Sequence, residues 1–189
     1  MLGIVVTAIA LLVISCGVFK PRDSEDPEKP VPWNSYPITR EQIMENLEHS
    51  YNYSENTFKY AEIFTTDFSF QFASQDITEH GTPSALNIEQ EQEMLVLLHK
   101  SITAYNQKIH IDSLVAIENQ NDSITSNSAT LYRRYHISVG DKNTQVYQGK
   151  AEFELIFVPE VGQWRIKIWK DFRSTTNQTW GKLKNEYTQ

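Results

Sequence analysis

From residue 105 to 173 the chain alternates apolar and polar side chains through four segments, 105–118, 129–139, 144–158 and 163–173. Period two is the spacing of a strand with one buried face, because successive side chains leave opposite sides of the backbone. A polar connection, ENQNDSITSNS, separates the first two segments, and the turn sequences GDKN (140–143) and PEVG (159–162) separate the rest. Four such strands predict an antiparallel meander with one apolar face that something else must cover. Ile109, Ile111, Val115, Leu131, Ile137, Val139, Ala151, Phe153, Leu155, Trp164, Ile166 and Ile168 fall on that face. His110, Asp112, Tyr132, Arg134, His136, Lys150, Glu152, Lys167, Trp169 and Asp171 fall on the other.

The cover comes from the N-terminal half. Thr39 and Gln42 form a capping-box pattern ahead of the stripe Ile43, Leu47 and Tyr51, which predicts a helix over 40–52. A second helix is expected over 55–65 with Phe58, Ala61 and Phe64 or Thr65 inward, followed by a strand carrying Phe68, Phe70 and Phe72. A loop over 78–87 leads to a third helix over 88–102, with Ile88, Leu95, Leu98 and Ile102 on one stripe. The expectation is an α+β fold: three N-terminal-half helices packed on a curved, mainly antiparallel sheet.

Three stretches carry a resemblance to the nuclear-transport-factor-two-like superfamily, the cone-shaped fold shared with SnoaL-like cyclases and ketosteroid isomerases. KYAEIFTTDFSFQF resembles its second helix running into strand one. YQGKAEFELIF resembles its long penultimate strand, and GQWRIKIWKDF its closing strand with a W-x-D ending. The resemblance spans roughly 39–175. It implies a cone whose interior, in the enzymes, holds a carboxylate general base and a Tyr or protonated acid that polarises a carbonyl. The isomerase base would lie five residues beyond Asp67, where this chain has Phe72, which cannot take a proton.

The front of the chain reads differently. Residues 2–14 are apolar apart from Gly3 and Thr7, too few for a comfortable membrane span and suited to a secretory signal. Val13-Ile14-Ser15-Cys16 resembles a bacterial lipobox, in which the cysteine is acylated and becomes the new N-terminus. No Lys or Arg stands ahead of the apolar run. Cys16 is the sole cysteine, so no intramolecular disulfide or Cys-based metal cluster can form. Five of the seven prolines follow it by residue 37, which predicts an extended tether. The expected organisation is a signal at 1–15, Cys16 and tether over 16–37, a domain over 38–175 and a polar tail over 176–189 that frays unless Trp180 anchors it. Nothing through residue 37 is expected to contribute to the core.

The functional expectation is a non-catalytic lipoprotein of the bacterial envelope, at the outer rather than the inner membrane in a Gram-negative cell because Gly17 is not Asp. It would bind a ligand or a protein. The alternative is a SnoaL-like or ketosteroid-isomerase-like enzyme acting on a small carbonyl compound. Arg133, Tyr135, Tyr147 and Ser113 interrupt the apolar face and would hold a small apolar or anionic ligand. Arg133 would pair with Glu62 or Asp67 if it is not at a strand end with its head in solvent. Trp169 and Tyr132 on the polar face would form an interface with a second copy or an envelope protein. His110, Asp112 and His136 share the polar face, and no histidine has a metal-ligand spacing such as HExxH. No cofactor or metal is expected. A net charge of −7 argues against nucleic acid as a partner.

Overall fold

The computed structural model describes residues 30–141 and 144–188. The expected acylation site at Cys16, the expected signal and most of the expected tether lie outside the described residues, as do residues 142 and 143 of the GDKN turn. The compact unit runs from Val31.

Helix α1 is Arg40–Asn52, and its N-terminus carries the capping box: Gln42 N–H donates to Thr39 Oγ1, and the Gln42 side chain accepts from Thr39 N–H. A 3-10 segment, Ser54–Ile63, follows and leads directly into β1, Phe64–Gln71. Helix α2 (Ser74–His80) and the short β2 (Ala85–Leu86) interrupt the expected loop. Helix α3 is Ile88–Ala104, with a second capping box between Asn87 and Gln90. The meander follows as β3 (Lys108–Ala116), β4 (Ser123–Ile124), β5 (Ser128–Gly140), β6 (Gln145–Val158) and β7 (Gln163–Phe172). A last helix, α4, is Trp180–Asn185.

The sheet has seven strands in the order β2-β1-β7-β6-β5-β3, with β4 beside β5. Among the described strands only β1 and β7 pair in parallel. Ile43, Leu47 and Tyr51 of α1 and Met94, Leu95, Leu98 and Ile102 of α3 bury against the inner face with Ile137, Phe153, Leu155 and Ile166. The alternation therefore predicts a real inner face, with α1 and α3 as its cover.

Three local departures matter. The 55–65 segment is 3-10 rather than α-helical. Its buried residues are Asn56, Thr57, Tyr60 and Ile63, and Phe58, expected inward, is exposed. Three residues per turn rotate the inward set away from that of an α-helix. The register shifts within β1 between Phe64 and Ser69, and bulges break the period-two pattern in two strands of the meander. In β3 the register skips Asp112, and in β7 it skips Lys167. An extra residue in one strand turns everything beyond it to the other face.

The domain also starts before residue 38. Asn34 N–H donates to Asn46 Oδ1 at 2.8 Å, and Asn46 Nδ2 donates back to Asn34 O at 2.9 Å. Asn56 Nδ2 donates to Pro32 O, Trp164 N–H donates to Pro37 O, and the Trp33 ring packs on the core beneath Lys59. Residues 32–37 are part of the folded unit.

Candidate functional site: a cone closed by its own C-terminal segment

The interior of the cone is where an enzyme of this shape would keep its chemistry. Beyond the β7 bulge, Trp169 and Asp171 point inward and are buried. The outer-face placement of Trp169 is thus corrected: its indole sits between Phe70 and Phe153 in the core. Tyr132, the other interface candidate, is half-buried opposite Glu152.

The chain leaving β7 folds back over the cone. Gln148 N–H donates to Gln178 O, which ties the returning segment to the start of β6. Thr179 caps α4 by accepting from Lys182 N–H, and its hydroxyl donates to buried Asp76 at 2.6 Å. Asp76 in turn accepts from Arg173 Nε at 2.8 Å. The tail expected to be polar and frayed over 176–189 thus holds a helix with Trp180, Leu183 and Lys184 fully buried. Trp180 meets Trp169 edge-on at 4.4 Å between ring centroids, and also packs on Tyr51 and Tyr135.

Two polar clusters lie where this segment enters the cone. In the first, Asp171 accepts from Tyr135 OH (2.7 Å) and from Gly181 N–H (2.7 Å), while Tyr135 OH accepts from Trp180 N–H (2.8 Å). Burial pushes the Asp171 carboxyl up to about 6, against the pull of the Tyr135 and Gly181 hydrogen bonds. Gly181 has no side chain at the point of closest approach: a Cβ there would lie 3.0 Å from the Phe72 ring and 3.1 Å from both Asp76 and Asp171 carboxylates. In the second cluster, Lys184 Nζ pairs with Glu91, which also accepts from Tyr60 OH at 2.7 Å. The ammonium lies over the Trp169 ring at 3.7 Å and the Phe70 ring at 4.1 Å from their centroids. Burial pulls its pKa down to about 8, with Glu91 holding it up.

The four residues proposed to hold a ligand do not form one site: Ser113 and Tyr135 border the same cavity, and Arg133 and Tyr147 do not line it. Tyr135 and Tyr147 do face inward, but the chain's own end occupies them: Tyr147 OH donates to Glu186 at 2.8 Å. Arg133 forms a two-pronged ion pair with Asp122 at 2.8 and 2.9 Å rather than with Glu62 or Asp67. Ser113 lies past the β3 bulge, paired opposite His136, and so belongs to the outer face instead of the inner one.

Phe72 is buried against Gly181. His110, Asp112 and His136 gather on the outer face around the bulge. Asp112 accepts from Ser138 Oγ at 3.2 Å and lies 2.8 Å from His136 Nδ1 and 3.2 Å from His110 Nδ1. All three are well exposed. Burial is the largest single influence on the Asp112 carboxyl and raises it, but the hydrogen bonds from His136 and Ser138 and the charge of the two imidazoles together outweigh it, so its pKa falls. Among the described residues no group of three His, Cys, Asp or Glu side chains has metal-binding geometry. No described helix is long and apolar enough to cross a membrane.

Sequence reasoning missed Lys184, Glu91 and Asp76. Each is a charged residue in a segment that reads as solvated, and no pattern in one dimension marks a lysine that will be buried. The W-x-D ending did single out Asp171, without its partners.

Three solved structures share this architecture. A protein of unknown function from Mycobacterium tuberculosis matches with a TM-score of 0.53 at 14% identity, over 72% of this chain and 70% of that one. An NTF2-like protein with a cystatin-like fold from Novosphingobium aromaticivorans matches at 0.51 and 10% identity, over 70% and 79%. The fold is NTF2-like. A candidate scytalone dehydratase from the same organism matches at 0.52 and 13% identity, over 73% of this chain and 83% of that one. The NTF2-like fold is therefore shared by proteins described as enzymes and by proteins without a known function. No family model and no curated protein matches the sequence.

Proposed function

We propose that this chain is a bacterial envelope lipoprotein, tethered through an acylated Cys16, whose NTF2-like domain binds a partner molecule at its surface without turning it over. The observation that carries the reading is the occupation of the cone by Trp180, Leu183 and Lys184. Groups that could polarise or deprotonate a substrate, Tyr135, Asp171 and Tyr60, already bond to other groups of the chain. Phe72 stands where the resemblance to the isomerases places a base. Val13-Ile14-Ser15-Cys16 and the prolines that follow support the anchor. Two acyl chains hold a protein on a bilayer because each buried methylene contributes about 0.8 kcal/mol. With the cone closed, the outer sheet face is the working surface.

The test has two readouts on the full chain. Mass spectrometry of protein made in a bacterium is expected to find an N-terminal Cys16 carrying diacylglycerol; an intact Met1 on a soluble protein overturns the anchor. A fluorescent apolar dye is expected to find no site in the native domain. Stoichiometric uptake that Trp180→Ala alters would place a ligand in the cone and restore the carrier or enzyme reading.

A further inference from the structure

On the outer face, β5 and β6 bring Arg134 and Lys150 into direct register across the ladder. Like charges opposite each other destabilise a sheet unless something lies between them. Both side chains are exposed, and among the described residues no carboxylate comes within 4.0 Å of either. The nearby acids are engaged elsewhere: Asp112 by His136, His110 and Ser138, and Glu152 and Glu154 by Lys170 at 2.7 Å each. Lys167 pairs with Asp67, and Arg173 with Asp76 and Glu79, whereas Arg165 of β7 bonds only the Phe64 carbonyl and faces no cation across the ladder. The Arg134–Lys150 pair is therefore a positive point in a protein whose net charge is −7.

The pair also borders a cavity of about 460 Å3, lined in addition by Ser113, His136, Gln148 and Thr175. The β3 bulge turns Ser113 to this side, and Gly149 leaves its inner side to the Tyr135 ring: a Cβ there would lie 2.4 Å from Tyr135 OH. Two cations, with hydroxyl and amide donors around them, form a set that suits an oxyanion: a planar guanidinium takes two oxygens at once, and an ammonium adds a point charge. We propose that this cavity binds the phosphate or carboxylate group of a small molecule, with room beyond the anion for the rest of the ligand. The proposal rests on the reading of the outer face as the working surface, and its test, by phosphate titration, is separate from the dye and mass-spectrometry tests of that reading.

The test titrates the full chain with inorganic phosphate and with glycerol 3-phosphate at constant ionic strength, read by amide chemical shifts. Saturable shifts at residues 134, 148–150 and 174–175 are expected, with a Kd on the order of 1 mM. Arg134→Gln/Lys150→Gln should weaken binding by about tenfold or more, and Lys167→Gln on the same sheet should leave it unchanged. Thermal melting of the double variant should match or exceed the parent, because removing facing like charges relieves repulsion. If the double variant fails to fold, either single substitution carries the same expectation. Equal affinity for the two probes identifies a free anion, and tighter glycerol 3-phosphate binding a headgroup-like ligand; both support the site. Shifts that do not saturate, or that all variants share, overturn it.

Discussion

Lys184 and Glu91 are each fully buried, and each is tolerable only because the other is there. Removing one partner of such a pair leaves an isolated charge in an apolar surrounding. Lys184→Met should therefore cost about 3–5 kcal/mol in urea unfolding, while Lys184→Met with Glu91→Leu should recover most of that loss or exceed the parent. Equal losses in the single and double variants would show that the pair is not coupled. Asp171 gives a pH signature. Its folded pKa of about 6 stands above the ordinary 3.8, so the folded state binds more protons between those values. The stability it contributes is complete below about pH 4 and is lost as pH rises through 6, an effect of up to about 3 kcal/mol. Asp171→Asn should flatten the stability curve over pH 4–6 relative to the parent. An unchanged slope would mean that the carboxyl is ionised throughout. Lys184 acts in the opposite sense at high pH. Its folded value of about 8 lies below 10.5, so its contribution is present above 10.5 and is lost as pH falls through 8.

At the scale of elements, α4 closes the fold although it spans only Trp180–Asn185. Too short to hold a helix alone, it is kept by what it buries. Trp180 and Leu183 together contribute roughly 3–6 kcal/mol of apolar burial, a large part of the stability of a domain this size. A chain ending at residue 179 should unfold at much lower urea and bind apolar dye. A midpoint unchanged from the parent would mean the segment frays after all. The N-terminal segment makes a smaller contribution. A chain beginning at Ile38 loses both reciprocal bonds to Asn46, which is buried, and the packing of Trp33. An unsatisfied buried amide costs about 1–3 kcal/mol, so such a chain should melt several degrees below one beginning at Val31. Equal melting temperatures would return residues 32–37 to the tether.

For the whole molecule, the NTF2-like fold uses its own chain to fill the space that a substrate would take. The proposed anchor is tested at this scale. Cys16→Ser should move the protein from the membrane fraction to the soluble one; retention in the membrane would require another anchor. The outer sheet face carries half-buried Tyr132, exposed Arg134 and Lys150 and the Glu152–Lys170–Glu154 bridge.

The meander, the capped helices α1 and α3 and the inner face of β5 and β6 follow from local rules, since period, caps and turn residues act over a few neighbours. The resemblance to a lipobox at Cys16 is equally local and rests on four residues. The two bulges are different in kind. Nothing near Asp112 or Lys167 announces an extra residue, because a bulge is set by how the strand must bend against its partner. Each one moved a candidate across the sheet, Ser113 outward and Trp169 inward. The closing of the cone is further still from local pattern. TTNQTWGKLKNEYTQ is polar by composition, and Lys184 is buried only because Glu91, 93 residues earlier, and the Trp169 ring meet it there. Burying that ammonium depends on partners that the fold alone assembles, so the state of the cone was decided by tertiary structure.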